Sequence, residues 1–275
     1  MRLTTSLAAA GLVLVGAGAA SAQAPTQAYM TASDGVRIHY AELGTGTPVI
    51  LIHGYTANAE GKWLKPGIAA ALAETNRVVA IDARGHGLSD KPHDPMQYGP
   101  RMAADVVELM DHLEIDRAHI HGYSMGGSLL TQILKQHPER VITAIYGGSG
   151  VQEVDPAWQA RMPEDPDRPD DLPPARGERW SEYPGYDRTA LDAVRDYPWT
   201  AEERAIDLTA VDIPVLALVG SYDRPNARTH RMARELDDFE LVLLEGDTHG
   251  SAHFNPRYTE ALVEFVRAHD PETTE

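Results

Sequence analysis

Four short runs in this sequence are apolar on both alternating faces: Val49-Ile50-Leu51-Ile52, Val78-Val79-Ala80-Ile81, Val141 to Tyr146, and Val215 to Val219. A strand with one wet face alternates apolar and polar residues. Continuous runs instead point to strands covered on both sides, as in a parallel sheet with helices on each face. Helical periodicities lie between them. Met102, Val106, Leu109, Met110 and Leu113 mark one helix face, Ser128 to Gln136 forms another helix ended by Pro138, and Leu262, Phe265 and Val266 mark a terminal helix after Pro256. Strands alternating with helices predict an α/β fold with a doubly wound, mostly parallel sheet.

Four further strands complete the expected sheet. Gln27 to Thr31 and Val36 to Glu42 form an antiparallel ribbon around Asp34-Gly35. Ala118 to His121 is a weaker strand signal, supported by the turn sequence that follows it. Leu241 to Leu244 is the last strand. One stretch breaks the alternation: from Gly150 to about Arg204 the chain is rich in proline and acidic residues. It also carries Trp158, Trp180 and Trp199 with Tyr183, Tyr186 and Tyr197. Disordered inserts lack aromatics, so residues 150–204 are expected to be an inserted lid of short helices and loops. The lid belongs to a single domain over residues 23–275.

The chemistry-bearing residues fall in turns after strands. Gly122-Tyr123-Ser124-Met125-Gly126 is a G-x-S-x-G pentapeptide between a strand and a helix. Such a serine sits on a sharp, strained turn, and glycine is needed two residues to either side to avoid collision with neighbouring backbone. Taken alone, the pentapeptide also fits a tight turn with a solvated serine. His53-Gly54-Tyr55 ends the first strongly apolar strand, placing the Tyr55 and Met125 N–H groups as a two-donor oxyanion hole. Asp223 follows the Val215 strand and His249 follows the Leu241 strand. The chain order of Ser124, Asp223 and His249 is one of the known orders of a serine triad. Glu153 or Asp155 is an alternative acid for His249.

The sequence narrows the remaining function classes. Asp plus Glu number 41 against 24 Lys plus Arg, a formal charge of -17, which disfavours nucleic acid and anionic lipid as partners. Cysteine is absent from the sequence, which excludes a disulfide framework and a thiol nucleophile. His249 and His253 stand four apart, but Gly250, Ser251 and Ala252 between them leave out the glutamate of a zinc-peptidase helix. His119 and His121 share one side of a strand and are expected to pack or hydrogen-bond. No nucleotide-binding glycine pattern follows a strand, so neither metal nor cofactor is expected. Met1 to Ala22 has Arg2, an apolar run from Leu7 to Ala20 and an Ala20-Ser21-Ala22 cleavage signal. A signal peptide over residues 1–22 is expected, with export to the periplasm or medium and no stable membrane insertion afterwards. The sequence holds no signal for an oligomeric state.

With these motifs assembled, nearly all of Gln27 to Asp270 resembles the α/β-hydrolase family, in particular serine-nucleophile, esterase- or lipase-like members with a cap insertion. The resemblance rests on the His53-Gly54 loop, the Asp82-Ala83-Arg84-Gly85-His86-Gly87-Leu88-Ser89 segment, the Ser124 turn, Asp223 and His249. It implies Ser124 as nucleophile, His249 as base, Asp223 as orienting acid and a bracing rather than catalytic role for His86. Serine, rather than the aspartate of relatives that open epoxides, implies attack on a carbonyl through an acyl-enzyme. A partly apolar carboxylic ester of small to medium size is the expected substrate. Lactones and carbon–carbon bonds beside a ketone are alternatives, and a non-catalytic binding protein on the same fold is another. Because the base must be neutral, activity is expected to fall in acid.

Overall fold

The computed structural model describes residues 24–153, 155–160, 184–223 and 227–271. The expected signal peptide, and lid residues 161–183 with Trp180 and Tyr183, lie outside the described residues. Eight strands form one sheet: β1 Thr26–Thr31, β2 Arg37–Leu43, β3 Pro48–Ile52, β4 Arg77–Ile81, β5 Ala118–Tyr123, β6 Val141–Gly147, β7 Val215–Gly220 and β8 Phe239–Leu244. Their spatial order is β1-β2-β4-β3-β5-β6-β7-β8. β1 pairs antiparallel with β2, and β2 with β4; every other pairing is parallel.

The doubly apolar runs are explained by the two layers they touch. Ile50, Ile52, Val79, Ile81 and Ile120 face a core shared with α2 (Pro100–His112) and α3 (Met125–Gln136). The alternate residues Val49, Leu51, Val78 and Ala80 face Trp63, α1 (Ile68–Leu72) and α8 (Pro256–Ala268). All nine strand residues are fully or almost fully buried. Burying an aliphatic side chain of this size contributes about 1.5–3 kcal/mol.

β5 is the strand whose sequence signal is weakest, because His119 and His121 occupy alternate positions on it. Both rings are buried and hydrogen-bonded. His121 Nδ1–H donates to the Ile145 carbonyl at 3.0 Å, and its Nε2 accepts from the Tyr258 hydroxyl at 2.7 Å. Partnered polar rings of this kind are tolerated inside a sheet. Burial holds His121 below its ordinary value, at about 4, so it stays neutral. β8 lies at the sheet edge, and its Leu241 and Leu243 remain 46% exposed.

Between β6 and β7 the described chain contains α4 (Pro156–Gln159), α5 (Arg188–Asp196) and α6 (Ala201–Arg204). Each begins with a side-chain cap: Asp155 on Ala157 N–H, Asp187 on Ala190 N–H, and Thr200 with Glu203 in a reciprocal box. α7 (Ala227–Glu235) follows β7 and anchors in the core through Met232. Among the described residues, no helix is long and apolar enough to cross a membrane.

Candidate active site

The parallel strands end along one edge of the sheet, and Ser124 stands at that edge between β5 and α3. Its φ of 53° and ψ of -110° are a strained conformation for a residue with a side chain. Strain of this kind costs about 1–3 kcal/mol and persists where the surroundings enforce it. The flanking glycines show what enforces it. A Cβ on Gly122 would run into the Gly126 carbonyl, and one on Gly126 into the Ile52 carbonyl. The Ser124 N–H is held by the Gly147 carbonyl at 2.8 Å, and the Ser149 hydroxyl donates to the Ser124 carbonyl at 3.1 Å. α3 starts at Met125, so its N-terminal N–H groups and dipole face the serine.

Three residues distant in sequence meet here. His249 Nε2 lies 2.9 Å from Ser124 Oγ. His249 Nδ1 lies 2.9 and 3.1 Å from the two oxygens of Asp223. An ionised carboxylate only accepts, so Nδ1 carries the proton and Nε2 is free to take the serine's. Asp223 is buried, whereas the His249 side chain is 47% exposed. The loop bearing His249 is ordered by its own polar contacts. Asp247 accepts from the Ser251 hydroxyl at 2.7 Å and from Asn255 Nδ2 at 2.6 Å, while the Tyr123 hydroxyl donates to the His249 carbonyl at 2.5 Å.

The alternative acids are engaged elsewhere. Glu153 pairs with Arg234 at 2.8 Å, and Asp155 caps α4. His86 hydrogen-bonds the Arg84 carbonyl at 3.1 Å, and burial holds it at about 3. It takes no part in the Ser124–His249–Asp223 chain. The loop after β3 presses directly on the serine turn: a Cβ on Gly54 would sit 3.2 Å from Ser124 Cβ. The Tyr55 hydroxyl donates to the Leu191 carbonyl of α5 at 3.0 Å. Among the described residues no cluster of three or more His, Asp or Glu is arranged to hold a metal ion.

Two residues beneath the site escaped the sequence analysis. Lys62, in a π-helical turn over Glu60–Leu64, is 3% exposed, and its ammonium stands 3.1 Å from the centre of the Tyr123 ring. Burial pushes it well below the ordinary lysine value, and the Asp223 charge opposes that shift. The Tyr123 ring packs against His249 with ring centres 5.4 Å apart and planes tilted by 49°. The pentapeptide leaves the residue type at position 123 open, and nothing in the local pattern marks Lys62 as buried.

A family model described as alpha/beta hydrolase fold matches residues 47–210. The chain belongs to that family. Among curated proteins it is similar to the dihydrolipoyllysine-residue acetyltransferase component of the acetoin cleaving system of Pseudomonas putida. The two are 35% identical over 144 residues, covering 50% of this chain and 36% of that one. It is also similar to the 2-hydroxymuconate semialdehyde hydrolase of Pseudomonas sp. strain CF600, with 36% identity over 120 residues, covering 42% and 41%. The match therefore spans well under two thirds of these relatives. Among solved structures, Est816, titled an N-acyl homoserine lactone degrading enzyme, superposes with a TM-score of 0.64 at 26% identity. That match covers 88% of this chain and 99% of that one.

Proposed function

We propose that the protein is an exported serine hydrolase that cleaves carboxylic esters through an acyl-enzyme. The observation that carries this reading is the unbroken hydrogen-bond chain from Ser124 Oγ through His249 to buried Asp223. In the proposed reaction His249 takes the hydroxyl proton as Ser124 Oγ attacks the acyl carbon. The Tyr55 and Met125 N–H groups receive the oxyanion, and His249 returns the proton to the leaving alcohol. Water, deprotonated by the same imidazole, then releases the acid. Asp223 keeps the imidazole in the tautomer that accepts from serine. Export rests on the sequence of residues 1–22 alone.

Reaction with a serine-directed phosphonate tests the assignment. One equivalent is expected on Ser124, and none on a Ser124→Ala chain that keeps its circular dichroism spectrum. Full ester turnover by that variant would refute the role. Lactone hydrolysis is the second reading, and the similarity to Est816 favours it. A panel pairing open-chain esters with homoserine lactones separates the two by their relative kcat/KM.

A further inference from the structure

A cavity of about 100 Å³ opens between α3, the segment after β6, α6 and α7. Ser128, Gln132, Gly150, Trp199, Arg204 and Arg228 line it. It lies next to the serine turn on two sides. Ser128 is one helical turn from Ser124, about 6 Å along α3. Gly150 directly follows Ser149, whose hydroxyl holds the Ser124 carbonyl.

The charge in this cavity runs against that of the whole chain. The protein carries a formal charge of -17, and neighbouring arginines are consumed by acids. Arg231 and Arg234 on α7 pair with Glu235 and Glu153, and Arg188 and Arg195 on α5 pair with Asp192. Arg204 and Arg228 pair with no carboxylate among the described residues. The Arg204 guanidinium instead lies 5.7 Å from the centre of the Trp199 ring. Stacking on an aromatic face orients a guanidinium while leaving its N–H fork free for an anion. Gln132 is held in place through its Nε2, which donates to the Glu203 carbonyl at 2.5 Å.

We propose that this cavity is an anion subsite, and that the ester cleaved at Ser124 carries a carboxylate remote from its scissile carbonyl. Two guanidinium groups receive that carboxylate, with Trp199 covering the methylene chain between the two ends. The substrate half of this inference rests on the esterase reading; the subsite itself does not.

The experiment has two arms. In the first, monomethyl adipate and methyl hexanoate, matched in chain length but differing in charge, are compared by pH-stat. The native chain is expected to prefer the anion. The ratio of the two kcat/KM values is expected to fall about tenfold in the Arg204→Gln/Arg228→Gln chain, and to shrink with added salt in the native one. In the second arm, adipate is titrated calorimetrically into Ser124→Ala chains. Binding is expected with both arginines present, to survive Arg228→Lys and to be lost in the double glutamine variant. Equal adipate binding with and without the arginines, or a native preference for methyl hexanoate, overturns the proposal. Failure to cleave either ester would count against the esterase reading alone, since the calorimetric arm judges the subsite without turnover.

Discussion

The loops under Ser124 and the cap helix α5 beside them are held by opposite means. Below, the Arg84 side chain is fully buried and bonds Asp105 at 2.5 and 2.6 Å and Asp34 at 2.8 Å. Asp82, also buried, accepts from Ala59 N–H, Leu88 N–H and His39. The cap helix instead buries a narrow stripe of Ala190, Leu191, Ala193 and Val194. Its polar ties are the Tyr55 hydroxyl to the Leu191 carbonyl and a half-exposed His93–Asp187 pair at 2.9 Å. Removing one partner from a buried ionic network strands the other charge, whereas an exposed pair contributes little. The floor is therefore built to keep one geometry, and the cap to yield at low cost.

Substitutions probe that contrast, beginning where the effect is greatest. Ser124→Ala is expected to lower kcat by about 10⁶-fold, judged from serine enzymes of the same constellation. Asp223→Asn should lower it by about 10⁴-fold, because the imidazole then adopts the wrong tautomer. Both are read from steady-state ester hydrolysis. In the floor, Arg84→Met is expected to cost about 3–5 kcal/mol by urea unfolding. At the cap, breaking the Asp187 pair by His93→Gln should cost less than about 1 kcal/mol. Equal losses from these two would erase the distinction between the regions.

A pH experiment reads the buried imidazoles. Burial holds His86, His121 and His253 below their ordinary value, at about 3, 4 and 2. Unfolded, the same rings titrate near about 6.5. Between these limits the unfolded chain binds more protons than the folded one, so stability rises with pH and is lost on acidification below about 6.5. The urea midpoint should therefore be lower at about pH 5 than at about pH 7. An unchanged midpoint would mean that the buried rings are free to protonate. A similarly small effect is expected for Tyr55→Phe, which removes one neutral hydrogen bond worth about 1 kcal/mol between the β3 loop and the cap. It should raise KM several-fold more than it lowers kcat. A larger fall in kcat would tie the cap to the chemistry at Ser124 through the β3 loop.

Much of this architecture is legible in the sequence because it depends on local pattern. β3, β4, β6 and β7 declare themselves as continuous apolar runs, since both of their faces are covered. The serine turn declares itself because backbone crowding at Gly122 and Gly126 admits no side chain. Other parts were illegible for physical reasons. α7 reads as a polar, arginine-rich stretch, because little more than Met232 anchors it in the core. β5 was legible only faintly, because its two imidazoles are satisfied by distant partners: Thr143 and Ile145 on β6, Tyr258 on α8 and Asp270 beyond it.

The sequence by itself determined the order of layers, the sheet edge that carries the loops, and which serine, acid and imidazole are available there. Tertiary structure alone decided that Asp223 rather than Glu153 meets His249, that Lys62 lies under Tyr123, and that Arg204 and Arg228 face one cavity. The division follows from range. Burial periodicity and steric need are written over a few neighbouring residues, whereas the pairing of charges depends on which distant loops the closed sheet brings within a few ångströms of one another.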